Sequence, residues 1–540
     1  MRLWLLILYA VLATAQEDHS LHQHVVAGLG TVDLPTSCNA TAQELISRGA
    51  ALLHSFGYEE ARLAFNGAAK ADPACAMAYW GVARTWYHPI WAPPSPDELK
   101  AGAAALDRAL AIDAKTSRER DYVNALAVFY KDWQTVDHAT RAKNYEQALG
   151  AVCDHNPSDD EAAIFHALQL VAIGYLDPTD KSYRWQRKGS EILNNLLVRH
   201  RNHPGVAHYI IHSVDYPSLA ELGLQAARAY ARIAPDSPHA LHMPSHIFTR
   251  LGLWDDSIAS NIASMKSAVA QTQRLHGGGG SFDQLHAMDY LVYAYLQEAK
   301  DTSARKVLAE IQDMTRLDED QFAAAYAFAA SPARLPLERH DWRAAAALEI
   351  NPAWFPWHRF RNVEALVHYA RAIGAARSGD VAAARRSADE IAAIRMSMPP
   401  TRDYDWSGSV GAQWEAATAL IAWAEGKKDE GVRLLRMAAD HEDAVDKHPV
   451  TPGALLPVRE MLADLLLENG RPAESLKEYE AALKTAPRRF NATAGAAKAA
   501  DKAGDRMKAR AYAMQLREIA NNAETSRPEL EWARVYLGSK

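Results

Sequence analysis

Seven of the chain's 22 histidines fall between residues 200 and 246: His200, His203, His208, His212, His239, His242 and His246. Within HPGVAHYIIHSVDYP, His208 and His212 are four apart, and within PHALHMPSHIF so are His242 and His246. Residues at i and i+4 share one face of a helix. The steps from His208 to His242 and from His212 to His246 are both 34 residues. The same two helical positions therefore carry imidazole twice, at a fixed interval. Imidazole with a carboxylate at hand and no thiolate suits Zn, Cu, Fe or Ni, so a transition metal ion (Zn, Cu or Fe) is the expected cofactor. A lone histidine would be read as a polar surface group or a packing residue. A pair that recurs at a fixed interval argues for a site.

The elements that must position these residues are helices. The chain has 540 residues, 49% of them apolar and 23% charged, which is the balance of a globular protein. Its formal charge of −7 excludes a polyanion binder that works by bulk charge, so no nucleic acid partner is expected. After residue 40 almost every segment has helical periodicity, with Ala, Leu, Glu and Arg dominant and little strand-like alternation. The fold class expected is all-α.

Internal repetition organises the helices. In LLHSFGYEEARLAFNGAAKADP, residues 52–73, small and aromatic residues recur at Tyr58, Ala61, Phe65 and Ala68 before Pro73. LLLENGRPAESLKEYEAALKTAP, residues 465–487, repeats the pattern with Gly470, Ser475, Tyr479, Ala482 and Pro487. Gly252, Trp254 and Ser257 form a third copy, and Gly379 and Ala384 a fourth. In this pattern the chain resembles the tetratricopeptide repeat family over most of residues 42–537, and 34 residues is that family's period. The resemblance implies an α-solenoid of stacked helical hairpins, in which no hairpin buries its apolar face without neighbours. The strings HYIIHSVDYP and HALHMPSHIFTRLG are similar to those of exported bacterial proteins of this kind, a group that implies no activity.

The resemblance also implies which residues line the concave groove. Aligned on Pro235, His208, His212 and Asp215 face it. Aligned on Gly252 and Trp254, so do His239, His242 and His246, and the next repeat adds His286, Asp289 and Tyr293. The expected metal ligands are His208, His212, His242 and His246, with Asp289 and His286. Packed helices lie about 8–10 Å apart, so imidazoles of two of them can meet on one cation, or the set can split between two ions. Asp215, His239 and Tyr293 are expected to hold ligands in place from behind. Pro244 sits inside this stretch; a helix restarting there would turn His242 away. Nearer the N-terminus the same alignment places His54, Trp80, Arg84 and His88 on the groove as a substrate wall, with Trp80, Trp86 and Trp91 able to stack a ring; the plainer reading is that the tryptophans are core. Glu460 and Asp464 are expected on a solvated face.

The N-terminal MRLWLLILYAVLATAQ has a basic Arg2, an apolar run from Leu3 to Ala13 and a small-x-small Ala13-Thr14-Ala15, the form of a cleaved export signal. The protein is therefore expected to be periplasmic or secreted, with no membrane span. Cys38 and Cys75 flank the first hairpin and could pair there, leaving Cys153 as a buried thiol. The division expected is residues 1–15 signal, 16–41 extension with tail histidines His19, His22 and His24, 42–335 first repeat block, 336–357 irregular connection and 358–540 second block. The loop from His88 to Pro96 is Pro-rich, and Gly277 to Gly280 read as a flexible hinge.

There is no H-E-x-x-H, no G-x-S-x-G, no Walker loop and no dinucleotide fingerprint. Ser213 beside His212 points off another helix face, so no hydroxyl nucleophile is indicated. Two readings remain: a groove whose histidine site holds a metal for binding a small-molecule or peptide ligand or for metal-dependent chemistry, and a metal-free scaffold that docks a peptide or protein partner. Whether the site catalyses is left open.

Overall fold

The structure, a computed structural model, describes residues 24–91, 93–398 and 404–538. The export signal at 1–15 and the tail histidines His19 and His22 lie outside these residues. The extension forms a small hairpin, with strand His24–Val26 antiparallel to Gly30–Val32. From there helices follow one another in pairs, starting with Ala40–His54 and Tyr58–Ala71 and ending with Phe490–Lys502 and Arg506–Ile519, before a last helix, Pro528–Gly538. The architecture is an all-α array of helical hairpins, a tetratricopeptide-like solenoid.

The repeat residues pack as their types require. Phe65 is fully buried, and a Cβ on Gly81 would stand 2.2 Å from its ring. Only the absence of a side chain lets successive hairpins close on that phenyl. The disulfide Cys38–Cys75 ties the extension to the first hairpin. Cys153 is half-buried beside His166 rather than sunk in the core.

The apolar core is built in two large clusters, one running from Leu29 to Phe248 and the other starting at Trp254. The second is continuous across residues 336–357. There the helix Phe322–Glu338 is followed by the short Trp342–Ala346 and the turn Trp357–Arg359. The histidine-rich hairpins thus lie where the two clusters meet.

The solenoid closes on itself. Asp446 N–H donates to the Pro178 carbonyl at 3.2 Å, Arg334 reaches the Ala454 carbonyl at 3.0 Å, and Trp254 Nε1 donates to the Arg488 carbonyl at 3.0 Å. Gly252 makes that last approach feasible, since its Cβ would lie 2.6 Å from the Pro487 carbonyl oxygen. The expected open groove is therefore an interior covered by the 446–454 segment. The Gly277–Gly280 segment is pinned rather than free: Gly280 N–H donates to Arg316 O at 3.0 Å, and its carbonyl accepts from Asp318 N–H at 2.9 Å. Among the described residues no helix is long and apolar enough to cross a membrane.

Candidate metal centre

The helix Pro204–Val214 carries His208 and His212, and the next hairpin supplies His239, His242 and His246. Pro244 divides that stretch into Pro238–His242 and Pro244–Leu251, but Met243 keeps helical dihedrals of φ −53° and ψ −35°. The result is a kink and not a restart. His242 and His246 stay on one face, with ring centroids 4.9 Å apart. The helix Phe282–Gln297, from the far side of the core junction, adds His286.

These six imidazoles, all buried, form two groups of three: His208, His212 and His239, and His242, His246 and His286. In each group one ligand nitrogen per residue lies within 4.8 Å of the others. Each expected i,i+4 pair thus stays together and gains one further histidine, His239 in the first group and His286 in the second. His239 stands beside His208 and His212 and not behind them, its Nε2 3.0 Å from His208 Nε2. The groups abut, with His212 centred 6.2 Å from His246 and His239 centred 6.4 Å from His242.

The outer nitrogens are held by oxygens. His208 Nδ1 donates to the His54 carbonyl at 2.6 Å, His242 Nδ1 to Asn261 Oδ1 at 2.6 Å, and His246 Nδ1 to Asp215 Oδ2 at 3.0 Å. Asn261 is oriented in turn, since its amide donates to the Ser257 carbonyl at 2.8 Å. Gly205 leaves room for the first of these, because a Cβ there would fall 2.5 Å from His54 Nδ1. With Nδ1 protonated, Nε2 of each ring is a lone pair. Those lone pairs converge: His242 Nε2 lies 3.0 Å from His246 Nε2, and His208 Nε2 lies 3.0 Å from His239 Nε2. Neither ring nitrogen of His212 has a hydrogen-bond partner among the described residues, nor has His239 Nδ1, whose nearest carboxylate oxygen, Asp283 Oδ1, is 3.9 Å away.

Burial keeps these rings neutral. It pushes His208 down to about 3, and it holds His212, His239, His242 and His286 well below the usual imidazole value. For His246 burial outweighs the pull of Asp215 in the other direction. Burial alone would raise the Asp215 carboxyl, but Lys447, Arg250 and the bond from His246 together hold it well below the carboxylate range. Neutral imidazole is the form that ligates a metal.

The remaining expected residues are placed as follows. Asp215 stands behind His246 as the spacing predicts and also accepts from Arg250 Nε at 2.8 Å. Asp289 is not with the imidazoles: three residues along the helix from His286, it pairs with Arg334 at 3.0 Å and accepts from Ser331. Tyr293 is likewise elsewhere, accepting from Arg489 at 3.1 Å. Glu460 is buried against the same arginine at 2.9 Å, not solvated, while Asp464 accepts from Tyr479.

The N-terminal wall is core. Trp80 packs on Tyr122 and Phe165, and Arg84 is buried with its guanidinium on the Tyr87 carbonyl at 2.7 Å. His88 donates to the Thr85 carbonyl at 3.1 Å against the Tyr58 ring. His54 donates through Nε2 to Glu161 at 2.9 Å and accepts at Nδ1 from the Tyr209 hydroxyl at 3.0 Å. His203 donates to the same carboxylate at 2.9 Å and accepts from Val206 N–H. Each ring nitrogen of this second His–Glu–His trio therefore has a matched partner. The trio fixes the turn that offers the His54 carbonyl to His208.

Sequence reasoning singled out Trp91 of the aromatic cover and missed Phe56 and Phe282. Phe56 touches His208, His212 and His239 with centroids 4.4–5.6 Å away, Trp91 lies 5.4 Å from His239, and Phe282 lies 5.6 Å from His286. Trp91 and Phe282 meet at 4.5 Å. Two clefts, of about 580 and 930 Å³, lie nearby, and none of the six imidazoles lines either. Trp91 lines the smaller, and Lys447 and His448 line both.

No family model matches the chain, and no curated protein matches it. Among solved structures it is similar to a tetratricopeptide repeat protein from Parabacteroides merdae, at 13% identity over 56% of this chain and 97% of that one, with a TM-score of 0.27. It is similar too to the TPR domain of P58(IPK), at 12% identity over 92% and 99% with a TM-score of 0.19. The APC/C hetero-tetramer Cut9–Hcn1 matches at 11% identity over 92% and 83%, with a TM-score of 0.32. With values this low, the fold assignment rests on the chain's own helices.

Proposed function

We propose that this is an exported metalloprotein whose closed solenoid holds transition-metal ions in the two trihistidine groups and uses them to bind or transform a small ligand. The observation that carries the reading is the facing of His242 Nε2 and His246 Nε2 at 3.0 Å, with both Nδ1 atoms committed as donors. Two lone pairs at that distance with nothing between them repel; a cation between them turns the contact into ligation. A proton is a poor candidate, since burial disfavours the imidazolium at both rings. The partnerless nitrogens of His212 ask for the same answer. Three neutral nitrogens with an open position make a site for Zn, Cu or Fe that can still bind an exogenous ligand. The signal-like residues 1–15 and the disulfide Cys38–Cys75 support an oxidising compartment, periplasmic or secreted.

The test is elemental analysis of tag-free protein after equilibration with each metal. Stoichiometric metal that is lost in the double variant His208→Ala, His242→Ala supports the reading. Wild-type protein that stays metal-free sinks it and leaves a scaffold for a protein partner.

A further inference from the structure

We infer that the two trihistidine groups form one coupled dicopper centre that binds dioxygen, an inference that rests on the metal reading above.

The first argument is spacing. Within a group, ring centroids are 4.1–6.3 Å apart, as between His242 and His286 or His212 and His239. Between groups they are 6.2 Å and 6.4 Å, at His212–His246 and His239–His242. Rings that bracket the boundary are thus about as far apart as the widest pair that would share an ion. Abutting groups of this kind can hold two ions close enough to share a bridging ligand, as two-metal sites do at about 3.5–4 Å.

The second argument is charge. All six ligands are neutral. Asp215, the carboxylate hydrogen-bonded to the set, is already matched by Arg250 at 2.8 Å and by Lys447 at 3.4 Å. A pair of dications would place four uncompensated charges in a buried site, and burying charge without a partner is costly. A pair of cuprous ions halves that load, and Cu(I) accepts three nitrogen donors without further ligands.

The third argument is access. Phe56, Trp91 and Phe282 cover one side of the centre, so approach from that side is apolar and suits a small neutral molecule. Dioxygen meets that condition. Each Cu(I) gives up one electron and becomes Cu(II), and O2 takes both and becomes a bridging peroxide. No proton enters, no bond to protein breaks, and the net charge of the centre stays the same. Release of O2 returns both electrons to copper.

The experiment loads wild-type protein with cuprous ion under anaerobic conditions and then admits oxygen. Two coppers per chain, uptake of one O2 per two coppers, recovery of O2 under vacuum, and an electron paramagnetic resonance signal near zero in the oxidised form are expected. Separate His212→Ala and His286→Ala variants should each keep one copper and take up no O2, and the same variants loaded instead with cupric ion should show the full signal of an isolated Cu(II). Two coppers that give a full two-spin signal would overturn the coupled centre while leaving the metal reading intact. So would O2 uptake by a variant holding one copper, or tight binding of zinc with none of Cu(I). Failure of every metal to bind overturns both.

Discussion

Asp215 and Lys447, 232 positions apart, meet at 3.4 Å over the outer face of His246. Asp215 ends a helix of the first half, and Lys447 belongs to the segment that closes the solenoid. Burial and the nearby Arg250 lower the ammonium to about 8 against the pull of Asp215, so the pair is ionised at neutral pH but close to its limit. Closure and the histidine cluster are therefore joined through one carboxylate. A change that opens the segment also frees Asp215 from Lys447 and alters the basicity of His246.

The partnerless His212 predicts a trade between stability and binding. Each buried polar atom without a partner costs about 1–3 kcal/mol. His212 has two, while its ring still packs on Phe56 at 5.6 Å. His212→Leu removes both and keeps an apolar side chain. Metal-free His212→Leu protein is expected to be more stable than metal-free wild type by roughly 1–3 kcal/mol, measured by urea unfolding in chelator. In saturating metal the order should reverse, since binding to the native state stabilises only the protein that can bind. A variant less stable than wild type in chelator would mean that His212 is an ordinary packing residue.

Asn261 tests the outer shell. Its carbonyl oxygen fixes the His242 tautomer at 2.6 Å and its amide is tied to Ser257. Asn261→Leu keeps the volume and lets His242 rotate or change tautomer. Metal affinity of that group should fall about 10–100-fold, read by competition with a chromophoric chelator, while the other group is unaffected. Equal weakening of both groups would argue for a general loss of structure.

How far the sequence reached can be seen residue by residue. The four-residue and 34-residue spacings identified His208, His212, His242 and His246, because helical periodicity and repeat stacking are local rules. His239 and His286 were visible as candidates, but their grouping depends on how the kinked helix at Pro244 and the next hairpin cross, which spacing does not encode. Asp289 shows the limit of register: three residues from His286, it faces Arg334, whose position is set by another hairpin. Asn261, Phe56 and Lys447 carried no signal at all. Their roles arise from helix-to-helix contacts and from closure of the solenoid, and repeat patterns are silent about whether an array stays open.

Glu442 gives a pH signature away from the histidine cluster. Burial, in part, raises its carboxyl to about 7 against an ordinary value of 4.5, with Val458 N–H donating to it at 2.8 Å. Between these values the folded protein holds a proton that the unfolded chain has lost. Stability from this group is therefore present below about 4.5 and declines as pH rises to about 7. Glu442→Gln keeps the acceptor and cannot ionise. Its melting temperature relative to wild type should rise between pH 5 and pH 8, measured by calorimetry; a constant difference would show that the carboxylate ionises freely in the fold.

Arg489 is expected to be the strongest single tie between the C-terminal hairpins and the middle of the array. It is fully buried and bonds Glu460 at 2.9 Å, Glu338 at 2.8 Å and the Tyr293 hydroxyl at 3.1 Å. These partners come from the helices Val458–Glu468, Phe322–Glu338 and Phe282–Gln297. Arg489→Met fills the volume but leaves two buried carboxylates with no cation, a change that costs about 3–5 kcal/mol in comparable buried pairs. Adding Glu338→Gln and Glu460→Gln removes the stranded charges, so the triple variant should regain most of that loss. Asn491, which donates to Glu338 at 3.0 Å, retains an acceptor throughout. The measurement is urea unfolding of wild type, single and triple variants at one pH. Because the helix bearing Tyr293 also bears His286, the single variant should also loosen the metal group that contains His286 and leave the His208 group less affected. A single variant as stable as wild type would show that closure is held by the apolar contacts around Trp254 and Gly252, with the arginine contributing orientation only.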